Sequence, residues 1–356
     1  MSYLNSIVLP LEIVTLLAAL ALEIFRPDRF FRKSIYAMLA AAWTVAVMFR
    51  PWGASPDDWN YVVHLRLTYP LSEAEFQNTL GHSPLYYFLL SAVRVFQDGH
   101  MAFMAIAGAA LALKFYIIGR ITSFSVLALL GYASMFWMLH DVVQLRAGAA
   151  TLFLFLVIHL WSQEKRAATI SAAIVGPFIH ISAMVSLAGI PLRWLLANRY
   201  WLALGGAALS QVLAELGLVP PSSIIGLVGI SNERATLTIE TATDSGGLRA
   251  TSIAILFALA MAVPGLKLQK RPELDLAFYT VIAGFFVYWL TADVATVSSR
   301  LLQFLAVPVV LLASCYKQNA ITLAGFTAIC VASFYLSGWI NGLMSFGGKW
   351  GVVPLP

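Results

Sequence analysis

The sequence predicts an all-α polytopic membrane protein with about twelve transmembrane helices, an outer juxtamembrane helix and two long outer loops. Three observations lead there. Hydrophobic residues make up 60% of the 356-residue chain and charged residues only 11%, whereas about a quarter of a soluble domain is charged. The apolar residues gather in runs of near-bilayer length. Between those runs the Lys and Arg residues cluster as side-setting signals do. A soluble enzyme of this size could not bury so much apolar side chain. A secreted disulfide scaffold is excluded by the two lone cysteines, Cys315 and Cys330, which fall in or beside apolar runs and read as small buried hydrophobes. Disorder is excluded by composition. The formal charge of +5 reads as topology, so no nucleic-acid partner is expected.

The first run, Ser6 to Phe25, has no basic leader or small-residue cleavage site. Arg26, Pro27, Asp28 and Arg29 follow it directly, so it reads as a retained helix. Further spans are expected at 34–50, 101–119, 122–139, 146–161, 167–179, 181–197, 200–217, 250–264, 274–291, 300–315 and 319–338. No repeat and no soluble segment interrupts them, so residues 1–356 read as a single integral membrane domain. The polar stretches Pro51–Ser83 and Pro220–Arg249 define the outer loops, at about 51–100 and 218–249.

Arg26, Arg29, Arg32 and Lys33 form the densest basic cluster and place the first turn inside. Lys165, Arg166, Lys267, Lys270 and Arg271 belong on the same side, with Lys114, Arg120, Arg193, Arg199 and Lys317. Alternation then requires Pro84–Gln97 to lie on the outer surface without crossing. It also requires Ala167–Ala197 to cross twice, turning near Pro177 and His180. The bases left outside are Arg50, Arg66, Arg94, Arg146, Arg234, Arg249 and Arg300, with Lys349 the one lysine. Arginine makes bidentate phosphate contacts and keeps its charge, so this face suits an anionic lipid headgroup.

Four places carry polar residues able to do chemistry. The first outer loop holds Asp57, Asp58, Trp59, Tyr61 and Arg66. Its paired carboxylates suit a general base, a hydroxyl-orienting group or a cation ligand, and equally a helix cap. Next come His140, Asp141, Gln144 and Arg146 between two spans. His140 and Gln144, four apart, are expected on one helix face. An arginine at the mouth of a span either faces a wet cavity or snorkels. His180 with Ser182 is the third place, a catalytic histidine or a hydrogen-bonded structural one. The fourth is Arg300 with Gln303, which open a late span. The long second loop adds Arg234 and Arg249 as a cover over a cleft, and His82 is a weaker candidate. No P-loop, GxGxxG, HExxH or GxSxG motif is present.

In this order the motifs resemble the EpsG-type, Wzy-like polysaccharide polymerases of bacteria. The match runs from Asp57 and Tyr61, through Pro84, Tyr86 and Tyr87, to Arg146, then His180 with Ser182, and finally Arg300. The chain departs from the pattern in having His82 and Ser83 before the proline and Ala147 after Arg146. The resemblance implies a GT-C-like fold whose cleft opens at the outer face of the bacterial inner membrane. It implies undecaprenyl-diphosphate-linked oligosaccharide as substrate, and a chain-length regulator and an exporter as protein partners.

On that footing Asp57, His180, Arg146 and Arg300 are the expected catalytic residues. Asp58, Tyr61, Arg66, His82, Tyr86, His140, Gln144, Arg234, Arg249 and Gln303 are the expected substrate contacts. Arginine charge on the leaving diphosphate takes the place of a metal, so no cofactor or metal is expected. The competing classes are a lipid-linked sugar flippase and a ligase that transfers once.

Overall fold

A computed structural model of the chain describes residues 4–51, 58–68, 83–94, 99–218, 245–292, 295–317 and 319–340. All regular elements among the described residues are helical. Seven helical stretches are long and apolar enough to cross a membrane: Ser6–Phe25, Met101–Thr122, Val126–Val143, Leu145–Ser162, Thr251–Gln269, Pro272–Leu290 and Val297–Tyr316. The chain is thus an all-α polytopic membrane protein. Of the other expected spans, those at 167–179, 181–197 and 319–338 correspond to shorter apolar helices at Arg166–Ile179, Ile181–Leu195 and Ala320–Tyr335, and those at 34–50 and 200–217 to the helices Arg29–Met48 and Tyr200–Glu215. The described residues divide into two compact units. One comprises 1–160, 165–184 and 330–356; the other comprises 161–164 and 185–329.

The first unit opens with a π-helical turn that runs into α1 (Leu9–Phe25), followed by α2 (Arg29–Met48). The sequence builds the tight turn between them. Arg26 closes α1 in the left-handed region at φ 46°, Pro27 cannot continue the helix, and Asp28 restarts it by accepting the Phe31 N–H at 2.9 Å. Two short helices follow, α3 (Asp58–Leu67) and α4 (Pro84–Val93), then the long α5 (Gly99–Thr122). Helix α6 (Val126–Tyr132) continues as a π-helical stretch, Ala133–Val143. That element is largely apolar and nearly all of it is buried, which makes it the unit's central rod. Trp137 meets Trp43 of α2 edge-on at 4.7 Å, and the Trp43 indole donates to Thr15 of α1. Ser134 donates to the buried Glu12 carboxyl of α1. Helix α7 (Leu145–Ser162) follows the rod, and α8 (Arg166–Ile179) packs on α4. The expected break in the segment 167–197 falls at His180, three residues past Pro177, where the backbone turns extended.

The second unit contains α9 (Gly189–Leu195), α10 (Tyr200–Glu215), α11 (Ser245–Gln269) and α12 (Pro272–Leu290). Helix α13 (Ala295–Ala306) passes through a 3-10 stretch, Val307–Leu312, into α14 (Ala313–Tyr316), and α15 (Ala320–Ile340) ends the described chain. Helix α12 is this unit's axis, with α9, α10, α13 and the 3-10 stretch laid against it. Gly189 allows α9 to approach the α12 backbone at Thr280, where any Cβ would collide. Arg193 of α9 pairs with Asp275 of α12.

Candidate functional site

The site grows from the end of α2. Arg50, completely buried, makes a two-pronged ion pair with Asp58 at 2.8 and 2.6 Å. This guanidinium–carboxylate fork ties the first residue of α3 to α2. Both Asp58 oxygens accept from Arg50, so its carboxylate acts as an anchor. From that anchor α3 presents Tyr61 and His64 one turn apart on one face. At its far end Arg94, one residue past α4, donates to the carbonyls of Arg66 and Thr68 at 2.9 and 2.6 Å. Those carbonyls lie at a helix C-terminus, where no intrahelical partner exists.

Helix α4 starts with Pro84 at a position where the missing N–H costs nothing. Tyr86 and Tyr87 follow. The rings of His64, Tyr86 and Tyr87 stand edge to face, 5.2–5.9 Å apart, and His64 Nδ1 lies 3.3 Å from the Tyr86 hydroxyl. Beneath them Tyr61, Leu90, Val93, Phe103, Met104 and Leu145 form a buried apolar floor with Tyr86.

Arg146 completes the arrangement. The π-helical stretch ends at Gln144, whose φ and ψ of −105° and 64° break the helix, and α7 restarts at Leu145. Leu145 enters the floor, while the Arg146 guanidinium lies 4.9 Å above the Tyr86 ring, half-buried. Among the described residues no carboxylate pairs with it. Burial and the Arg146 charge hold the His64 pKa below its ordinary value, so the imidazole stays neutral. Burial raises the Tyr86 pKa, so the hydroxyl keeps its proton. The hydrogen bond between the Tyr86 hydroxyl and His64 Nδ1 thus joins two neutral groups.

A second polar cluster lies deeper. Lys114 of α5, completely buried, donates to Asp141, to the Tyr132 hydroxyl at 2.7 Å and to the Gly148 carbonyl at 3.0 Å. Tyr132 in turn donates to Asp141 at 2.6 Å. All three ammonium protons have acceptors, which closes the cluster. The sequence reading put Lys114 on the inner side and Asp141 on the outer; their ion pair sets them at one level, so the two assignments cannot both hold. Helix α5 runs to Thr122, beyond the expected end at 119, which puts Lys114 about 12 Å from its C-terminus. There the two charges neutralise each other and signal no side.

The remaining expected residues are distributed as follows. His140 is buried and its ring stacks on Phe136. Its expected shared face with Gln144 is not an α-helical one. The Gln144 N–H reaches back five residues to Leu139, so the turn there is wider than the four-residue spacing assumes. Gln144 is half-buried and Arg66 exposed. His180 ends α8, and its Nδ1 accepts the Ser182 N–H at 3.3 Å. Arg300, exposed, and Gln303, half-buried, lie on α13 of the second unit. Asp57, His82 and Arg234 lie outside the described residues, as does the side chain of Arg249. The structure thus joins Tyr61, Tyr86 and Arg146, and seats α8, which leads to His180, against α4.

It also adds His64 and Arg50, which sequence reasoning did not select as site residues, and brings in Tyr87, which entered only through the motif it shares with Pro84 and Tyr86. A signal existed for His64: Asp57, Tyr61 and His64 are spaced four and three apart, the spacing of a single helix face. Among the described residues no group of three His, Cys, Asp or Glu side chains is close enough to hold a metal ion.

Comparison with known proteins gives one family. No curated protein and no solved structure matches the chain. A family model described as the EpsG family matches residues 33–347, from within the first turns of α2 through α15. With its apolar helices, its arginine-headed α7 and nearly its whole length inside that match, the chain belongs to the EpsG family.

Proposed function

We propose that the protein is a glycosyltransferase that polymerises undecaprenyl-diphosphate-linked oligosaccharide repeats at the outer face of the bacterial inner membrane. One observation carries the reading. The other two buried cations described above in this unit, Arg50 and Lys114, have carboxylate partners, and Arg146 has none among the described residues. A guanidinium held over a ring at a helix N-terminus, with its charge unmatched, is a site for an anion. The aromatic surface of Tyr86, Tyr87 and His64 beside it offers faces on which a sugar ring can pack.

In this mechanism a hydroxyl of one lipid-linked repeat attacks the anomeric carbon of a chain on a second lipid diphosphate. The new bond forms from the hydroxyl oxygen to that carbon, the bond from carbon to phosphate oxygen breaks, and the diphosphate leaves with the electron pair. Arg146 stabilises the charge that develops on it. His180, whose Nδ1 is taken by the Ser182 N–H, has its proton on Nε2 and suits orienting the hydroxyl as a donor. That leaves Asp57 to take the proton. A flippase would draw on the buried Lys114–Asp141 pair as its coupling site, but every Lys114 proton is already engaged.

Purified protein given undecaprenyl-diphosphate-linked repeats is expected to yield a ladder of products. Relocation of the lipid without new glycosidic bonds would make it a transporter, and a single addition would make it a ligase.

A further inference from the structure

A groove of about 380 Å³ runs along the first unit between α2 and α5, and Arg146 is not among its lining residues. Its α2 wall is Tyr36, Ala37, Ala40, Ala41, Thr44 and Val45, and Ala112, Phe115 and Tyr116 of α5 face them, with Phe124 at one end. Four alanines leave the space that larger side chains would fill. The two buried hydroxyls in the walls are turned inward: Tyr36 donates to the Phe115 carbonyl at 2.6 Å and Thr44 to the Ala40 carbonyl at 2.8 Å. The lining they leave is hydrocarbon, while Ala37, Ala41, Val45 and Tyr116 are exposed along the open side.

The Phe124 end is strongly basic. The Lys33 ammonium lies 5.3 Å from the Phe124 ring, and Lys33 is one helical turn before Ala37. Arg29 is one turn further, and Arg120 is one turn past Tyr116 on the opposite wall. Arg32 Nε is buried there with no hydrogen-bond partner among the described residues. Asp28, the nearest acid on α2, is occupied as the helix cap. From Lys33 to Val45 is about 18 Å of helix, close to the depth of one leaflet of a ~30 Å hydrocarbon core.

We infer that this groove binds one acyl chain of an anionic diacyl phospholipid, with the lipid phosphate held by Lys33, Arg120 and the adjacent arginines. The arrangement matches a lipid of the leaflet on the basic side, which the positive-inside rule makes the cytoplasmic one. Helix α2 separates this end from Arg50 and the α3–α4–α7 site by its whole length, so the groove is a second lipid site, distinct from the one proposed for the substrate diphosphate. It stands whether or not the polymerase reading does, because its readout is bound lipid.

The test uses the full chain in detergent, titrated with phosphatidylglycerol and phosphatidylcholine of the same acyl chains, with retained lipid counted by native mass spectrometry. Phosphatidylglycerol is expected to be retained several-fold better. Ala41→Trp, which fills the groove at its open side, is expected to abolish retention. Lys33→Gln combined with Arg120→Gln, both at exposed positions, is expected to bring the two lipids level. Equal retention of both lipids by the unaltered chain, undiminished phosphatidylglycerol on Ala41→Trp, or unchanged selectivity in the double charge variant would each overturn the proposal. Preferential retention of a polyprenyl phosphate over phosphatidylglycerol would overturn it too.

Discussion

Lys114 and Arg146 are cations of the same unit that the fold treats in opposite ways. Lys114 has a carboxylate, a phenol and a carbonyl around it and no proton left to offer. Arg146 begins the helix whose Gly148 carbonyl Lys114 holds, yet it faces an aromatic ring and pairs with no acid among the described residues. A buried charge is tolerated when paired, and a half-buried unpaired one is tolerated when a ligand or water completes it. The contrast separates what holds the fold from what is left to act. Asp141 and Arg146 are five residues apart in the chain.

The strongest way to break the contrast is Asp141→Ala, which strands the Lys114 ammonium. A loss of about 3–5 kcal/mol is expected, read as loss of folded protein in detergent, with activity falling only as the folded fraction falls. Arg146→Ala is expected to do the reverse. Removing a fixed donor of transition-state charge costs about 10²–10³ in rate, while the lost ring contact costs about 1 kcal/mol of stability. Long polymer on a gel from both Arg146→Lys and Arg146→Ala would remove Arg146 from the mechanism.

Gly148→Ala sharpens the link between the clusters. A Cβ there would meet the His140 carbonyl carbon at 2.7 Å and Asp141 Oδ1 at 3.1 Å. Overpacking of this kind costs about 1–3 kcal/mol, and thermal unfolding should show it alongside a shortened polymer. The smallest effect is that of pH on His64. Its folded-state pKa is lowered, so below its ordinary value near 6.5 the unfolded chain binds a proton that the folded chain refuses. Stability contributed by this group is therefore complete above that value and declines as pH falls toward the lowered folded pKa. His64→Gln should flatten that acid-side slope, and a slope that persists unchanged would place its cause elsewhere.

The site was legible where a residue's meaning is local. Arg146 was marked by its position at the mouth of an apolar run, Tyr86 by its place after Pro84, and His180 by the proline-linked break. Asp58 was not, since its use depends on Arg50 eight residues earlier, and the sequence read that arginine as a free outer charge. His64 carried only a weak mark, its helical spacing from Asp57 and Tyr61, and its place in the site depends on a tyrosine twenty-two residues on. The π-helical character of the His140–Gln144 stretch was not legible either, because its composition looks like that of any α-helix while its hydrogen bonds reach back five residues.

Composition and the spacing of apolar runs determined on their own that this chain is a helical membrane protein and where most of its helices lie, because a bilayer requires long apolar helices whatever they pack against. Which cations are neutralised and which is left facing an aromatic floor was decided only by the tertiary structure. Pairing depends on where helices cross, and the bonds that settle it here join residues as far apart as Lys114 and Gly148.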